Sequence, residues 1–238
     1  MRKSRKGREE WKIYNNVFDQ FTERILFDLS SKGYFDELKS SYALGKEANI
    51  FIASKGKEKV IVKIYRLENC NFNKMYSYIA GDPRFQGLEN QKRKIIFNWV
   101  QREYRNLLIA REKIKVPTPF VFQKNVLVME MIGDESPSLT LKDLHPQNPQ
   151  EFYDKTLDNI LLLLESGLVH GDLSEFNILN HEENPVFIDI SQGTPINSFS
   201  AKELLERDLY NIHRFFKKIG VNKDRSKEVL KKFDELNV

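Results

Sequence analysis

Part-way along this chain the spacing of its apolar residues changes from the period of strands to that of helices. Between Tyr42 and Met131 they gather in short β-branched and aromatic runs: Asn49 to Ala53, Val60 to Tyr65, Phe120 to Phe122 and Val126 to Met131. Ser54-Lys55-Gly56-Lys57 supplies the turn between the first two. From residue 149 onward the apolar residues recur at three- and four-residue steps. Phe152, Leu157, Ile160, Leu161 and Leu164 mark a helix over 149–165, and Leu204, Leu205, Leu209, Ile212, Phe215 and Phe216 mark another over 201–217. Two more helical patterns flank the strands, one over 11–29 (Val17, Phe18, Phe21, Ile25, Leu29) and one over 96–112 (Ile96, Trp99, Val100, Leu107, Leu108). The first half thus reads as a small sheet with one long helix, and the second half as mostly helical. The expectation is an α+β, bilobal fold. Its N-terminal lobe, residues 9–132, combines an antiparallel sheet, one long helix and an extra helix ahead of the sheet. Its C-terminal lobe, residues 133–238, is mainly helical, with the boundary near Gly133-Asp134. The polar stretch 66–95, with Gly81-Asp82-Pro83 and Gly87, reads as a mobile loop.

Composition narrows the setting. At 238 residues and 40% hydrophobic content the chain can bury a sizeable core. A single cysteine, Cys70, excludes an internal disulfide. The longest aliphatic run, Ile160 to Leu164, is far short of the roughly 20 residues of a membrane span. No apolar stretch near the start resembles an export signal, so the expected setting is cytoplasmic, without a membrane partner. The net charge of +4 neither requires nor excludes nucleic acid, and no DNA partner is expected. Residues 1–8 carry five basic side chains, which suits a solvated tail or contact with a phosphate backbone.

The chemistry concentrates in LVHGDLSEFNIL, residues 168–179, where a His, two carboxylates and an Asn lie between apolar flanks. Unpaired charge is expensive to bury, so such a cluster belongs at a cleft or around a ligand. Asp172 precedes Asn177 by five residues, and Asp189 follows twelve residues later in VFIDIS. Carboxylate and amide oxygens are hard ligands suited to Mg²⁺, which takes few protein carboxylates and completes its shell with phosphate oxygens. Phosphoryl transfer also needs a cation on the phosphates. Lys63 in VIVKIY is placed to supply it, with Glu103 on the following helix as the carboxylate that fixes its rotamer. A lone Lys in a strand is ordinarily an edge charge; set before Asp172, Asn177 and Asp189 in this order it becomes a ligand candidate. Asp143-Leu-His-Pro-Gln-Asn148 repeats the Asp-to-Asn spacing, but Asn148, Pro149 and Glu151 read as a helix start with a capping box. His145 reads as a surface residue, His170 as a buried hydrogen-bonding brace, and Asp208 as structural.

Together LGKEANIF, VIVKIY, WVQREYRNL, VLVMEMIG, LVHGDLSEFNIL and VFIDISQ, with the IAGDPRF insert at 79–85, resemble the RIO family of atypical protein kinases, specifically its first subfamily. The likeness runs from about Tyr42 to Ile219. It implies a protein-kinase-like fold truncated after Asp189, without an activation segment or peptide-binding subdomains. It implies ATP and Mg²⁺ as cofactors, with Mn²⁺ as a possible substitute, and serine kinase or ATPase activity in maturation of the small ribosomal subunit, through its RNA or proteins. By the same resemblance Asp172 is the catalytic carboxylate, and Asn177 and Asp189 bind the metal. Asp189 is also the residue that would take up phosphate. Lys63 and Glu103 clamp the ATP phosphates, Met129 guards the adenine pocket, Glu130 and Ile132 bond adenine through their backbone, and Ala48 lies in the pocket's roof. The sequence departs from ordinary kinases in carrying one glycine, Gly45, in its nucleotide loop, and Gly171 where they have Arg. A small-molecule phosphotransferase is the alternative, because HGDLxxxN also resembles that group. A non-catalytic RNA-binding module is a third reading.

Overall fold

The structure, a computed structural model, describes residues 18–67, 75 and 92–237. The basic arm 1–8, the first part of the helix expected over 11–29, Cys70 and the IAGDPRF stretch lie outside these residues. Helix α1 (Gln20–Ser31) begins where the Asp19 carboxylate accepts the N–H groups of Phe21 and Thr22 at 2.9 and 3.0 Å. This N-cap corrects the expectation of one helix running unbroken from residue 11: Phe18 and Asp19 are not helical, and the helix starts at Gln20.

Strands β1 (Glu37–Leu44), β2 (Ala48–Lys55), β3 (Glu58–Tyr65), β4 (Pro119–Gln123) and β5 (Val126–Glu130) form one antiparallel sheet in the order β1-β2-β3-β5-β4. Strand β1 has no counterpart in the sequence reading. It is an edge strand, mostly exposed and interrupted twice in register, so it lacks the alternation that marks a half-buried strand. The loop that follows closes on its single glycine. The Gly45 N–H donates to the Ala48 carbonyl at 2.9 Å, and a Cβ at Gly45 would stand 2.8 Å from that oxygen.

The sheet is apolar on both faces. Val60, Val62 and Ile64 of β3 join Phe51, Val126 and Val128 in a core covered by Leu26 and Leu29 of α1. Ile61 and Tyr65 face the other way, into a larger core. That core contains helix α2 (Lys92–Ala110) and, from the C-terminal half, α3 (Pro149–Glu165), α4 (Ala201–Lys218) and α5 (Ser226–Leu236). Helix α2 starts inside the stretch expected as a loop, and Leu108, read as part of its apolar side, is 37% exposed. Between α3 and α4 lie the short strands β6 (Leu168–Val169), β7 (Ile178–His181), β8 (Asn184–Phe187) and β9 (Thr194–Pro195), paired β6 with β9 and β7 with β8. A 3₁₀ turn, Ile190–Gln192, follows Asp189.

The Asn148 side chain accepts the Glu151 N–H at 3.3 Å, with Pro149 at the first helical position. The Glu151 carboxylate meets the Asn148 side-chain amide at 3.2 Å, so the two side chains pair at the helix start. The Asp143–Asn148 stretch is thus the lead-in to α3. His145 is exposed, with its ring edge-on to Phe215. Among the described residues, no helix is long and apolar enough to cross a membrane.

Candidate active site

The two-residue period of β3 puts Lys63 and Tyr65 on the inner face of the sheet, opposite α2. Lys63 is 4% exposed, and its Nζ donates to Glu103 Oε1 and to Asp189 Oδ1, each at 2.8 Å. Glu103 is fully buried and takes a further short hydrogen bond from the Tyr65 hydroxyl. Burial opposes the Lys63 charge, but Asp189 and Glu103 outweigh it and hold the ammonium above its ordinary range. Burial also pushes Glu103 up, against the pull of Lys63, and it raises the Tyr65 hydroxyl well above its usual value, so that Tyr65 stays a donor. For Asp189 burial loses to Lys63, and its carboxyl lies below the usual range. Asp189 sits in the left-handed region at φ 58°, which Asp tolerates better than most residues, and its side chain keeps 42% of its surface exposed.

Helix α2 fixes the segment that carries Asp189. Arg102 donates Nε and Nη2 to the Gly193 carbonyl at 3.1 and 2.9 Å, and Asn106 Nδ2 reaches the Ile190 and Gly193 carbonyls at 2.9 Å each. Both side chains are buried.

The loop from His170 to Asn177 is held from three sides. Asp208 on α4 accepts the Gly171 N–H at 2.7 Å and the Leu173 N–H at 2.8 Å. Burial pushes the Asp208 carboxyl up to about 7, with these two donors opposing. His170 contacts the Ile188 carbonyl through Nε2 at 3.1 Å. Burial drives its pKa down to about 4, so the ring is neutral and Nε2 carries the proton it donates. Asn177 Nδ2 donates to the backbone carbonyl of Asp172 at 2.7 Å, and Gln192 Nε2 donates to Asp172 Oδ2 at 2.8 Å. Gly171, at φ 78°, has the Gln192 carbonyl 2.9 Å from where a Cβ would stand, so the turn after Asp189 occupies the space an Arg would need.

Lys63, Glu103 and Asp189 are thus in direct contact, and Asp172 and Asn177 share one loop joined to the Asp189 segment through Gln192. Met129 is buried on β5 opposite Ile61. Glu130 ends β5 and pairs with Thr118, donating its N–H at 2.8 Å and accepting at its carboxylate at 3.0 Å. The Ile132 carbonyl accepts from Ser138 at 2.8 Å, and Ala48 opens β2 opposite Tyr65. The sequence reading missed Tyr65, Arg102, Asn106 and Gln192. Tyr65 stands two residues after Lys63 and so on the same face of the strand. Arg102 and Asn106 stand at helical spacing on the side of Trp99 and Ala110, a polar interruption of a buried stripe.

The donor set suits Mg²⁺. Among the described residues no group of three or more His, Cys, Asp or Glu could form a dedicated cage. Asp189 offers one carboxylate, and Asn177, whose amide nitrogen is engaged by Asp172, offers its oxygen. So sparse a set fits an ion that keeps water and phosphate oxygens in its shell.

The model of the RIO domain matches residues 49–229 of this sequence, a span that contains Lys63, Glu103, Asp172, Asn177 and Asp189. The chain belongs to the RIO family. It is 41% identical over 224 residues to the RIO-type serine/threonine-protein kinase Rio1 of Methanocaldococcus jannaschii, covering 93% of this chain and 77% of that protein. The Rio1 of Haloferax volcanii is 36% identical, with 92% and 77% covered. Among solved structures, the Rio2 kinase ADP/Mg²⁺-phosphoaspartate complex from Chaetomium thermophilum superposes at a TM-score of 0.66 with 21% identity. It covers 87% of this chain, which spans 64% of that one. The likeness fixes the RIO domain here as a protein-kinase-like fold, as its separated sheet and helices also indicate.

Proposed function

We propose that this RIO domain is an ATP- and Mg²⁺-dependent serine protein kinase that also hydrolyses ATP, acting in maturation of the small ribosomal subunit. The observation that carries the catalytic part is the buried Lys63, set 2.8 Å from both Glu103 and Asp189. In the resting chain Asp189 neutralises an ammonium that Glu103 keeps in one rotamer, so a nucleotide finds a cation already positioned for its phosphates. Asp189 and Asn177 would hold Mg²⁺, which neutralises charge on the phosphate oxygens. Asp172 accepts the proton of the attacking serine hydroxyl as its oxygen bonds to the γ-phosphorus and the bond to the bridging oxygen of ADP breaks. Where Asp189 itself is the acceptor, its carboxylate oxygen takes the phosphoryl group as an acyl-phosphate, and water later releases inorganic phosphate and restores the carboxylate. The Rio2 complex contains a phosphoaspartate, which supports this second route. The ribosomal assignment is supported by family membership.

The test is incubation of the full chain with γ-labelled ATP and Mg²⁺, with and without small ribosomal subunits. Asp172→Asn is expected to lower transfer of label to serine by about 100-fold or more while ADP still binds. Asp189→Asn is expected to remove any hydroxylamine-labile label and the Mg²⁺ dependence of ADP binding. Full labelling of serine in Asp172→Asn overturns the catalytic assignment, and phosphate release unaffected by subunits overturns the ribosomal one.

A further inference from the structure

We propose that Tyr65 is a positioning residue for the nucleotide phosphates, acting through Glu103 to keep N–H groups of Lys63 available to them. The proposal rests on the reading of Lys63 as the phosphate-binding cation given above. Lys63 and Tyr65 share the inner face of β3, and Glu103 meets both from α2. Its Oε1 takes the Lys63 ammonium at 2.8 Å, and its Oε2 takes the Tyr65 hydroxyl.

The division of the two oxygens sets how much of Lys63 is spent on its partner. An ammonium has several N–H donors, and the terminal torsion of a glutamate is broad and two-fold, so a carboxylate without a second anchor can turn both oxygens toward one cation. The Tyr65 hydroxyl prevents that turn. Glu103 then engages Lys63 through one oxygen, and the donor now on Asp189 can pass to a phosphate when nucleotide enters.

The phenol is itself anchored. Tyr65 is buried, its N–H donates to the Asn125 carbonyl at 2.8 Å, and its carbonyl accepts Asn125 Nδ2 at 2.9 Å. Its ring packs in the inner core, 5.1 Å from Lys63 Nζ. A phenylalanine would keep that packing and the contact with the cation. What it would lack is the hydroxyl, a group that is costly to bury and that Glu103 satisfies. Burial raises the Tyr65 hydroxyl and a Ser191 hydrogen bond counters it; at Asp189, where burial loses to Lys63, Ser191 adds to the fall. Ser191 is thus a second route from Tyr65 to the site, one that bypasses Glu103.

The experiment measures affinity for ADP with Mg²⁺, affinity for adenosine and melting temperature in the full chain. The variants are Tyr65→Phe, Glu103→Gln, the pair Tyr65→Phe with Glu103→Gln, and the pair Lys63→Met with Glu103→Gln. Adenosine carries no phosphate, so the ratio of the two affinities reports the clamp and discounts a general loosening of the fold. In Tyr65→Phe the ratio is expected to fall by about 10-fold, with adenosine affinity within about twofold of the parent. Glu103→Gln is expected to lower the ratio too, and adding Tyr65→Phe to it to lower the ratio no further. An unchanged ratio in Tyr65→Phe, beside a lowered one in the Lys63 pair, overturns the role of Tyr65. Equal losses of ADP and adenosine affinity, which a purely structural hydroxyl would give, overturn it as well. If Tyr65→Phe alone does not fold, its pair with Glu103→Gln, which leaves no Glu103 carboxylate without a donor, decides. A ratio equal to that of Glu103→Gln supports the proposal, and a lower one assigns the hydroxyl to the Ser191 route and overturns it. An unchanged ratio in the Lys63 pair instead removes the reading of Lys63 on which the proposal stands.

Discussion

His170 and Asp208 brace the same loop, and burial moves their proton affinities in opposite directions. The His170 value of about 4 lies below the roughly 6.5 of an unfolded histidine. The unfolded chain therefore binds a proton that the fold refuses, and the contribution of His170 is complete above about pH 6.5 and lost as pH falls through 4. That loss is about 3 kcal/mol. Asp208, raised from 3.8 to about 7, binds a proton in the folded state first, so its contribution is complete below 3.8 and lost as pH rises through 7. Over the shared window the two slopes oppose. Urea unfolding is expected to show His170→Gln losing stability as pH rises, Asp208→Asn gaining stability as pH rises, and the parent changing less than either; matching slopes in the two variants would contradict the assignment. At this scale the sequence was legible where motif order stood in for geometry, as with Lys63, Glu103 and Asp189. It was silent on Gln192, because the partner of that side chain stands 20 residues earlier and is met only after folding.

Among the elements, α2 does more than deliver Glu103. Through Arg102 and Asn106 it satisfies the carbonyls of Ile190 and Gly193, which ties the Asp189 segment to the helix. Asn106→Ala withdraws one donor from two carbonyls and is expected to cost about 1–3 kcal/mol. Gly193→Ala should act on the same joint by another route, since its Cβ would stand 2.6 Å from Ile190 Cγ2 and 2.7 Å from Asn106 Nδ2. Hydrogen exchange locates the effect. The Gly193 amide, bonded to the Ile190 carbonyl at 3.2 Å, should lose protection in both variants, while amides of α5 keep theirs. Uniform loss of protection would mean global destabilisation in place of a broken joint. The apolar spacing found α2 because half of its surface is core. It could not reveal the clamp, since polar residues on a buried stripe carry no periodic signal of their own, and it missed β1 because that strand buries too little to alternate.

Across the whole molecule, two cores divide the labour of the sheet. The run VIVKIY is buried on both faces, so its period alone could not say which face meets the extra helix and which the site. The structure answers with Lys63: Val60, Val62 and Ile64 turn toward α1, while Ile61, Lys63 and Tyr65 turn toward α2 and the C-terminal half. The outer core is confined to α1, the segment after it and the sheet, whereas the inner core is continuous from β3 through α2 into α3, α4 and α5. Leu26 and Leu29 of α1 are fully buried against the outer face. Truncating either to Ala is expected to cost about 2–5 kcal/mol. Neither touches the face that carries Lys63, so as long as the chain stays folded its affinity for ADP with Mg²⁺ should match that of the parent by titration calorimetry. Leu127→Ala, in the inner core directly opposite Lys63 in the β3–β5 register, should lower both stability and affinity. If outer-core variants weaken nucleotide binding as much as inner-core ones, the two faces are not separable, and α1 belongs to the site and not merely to the scaffold.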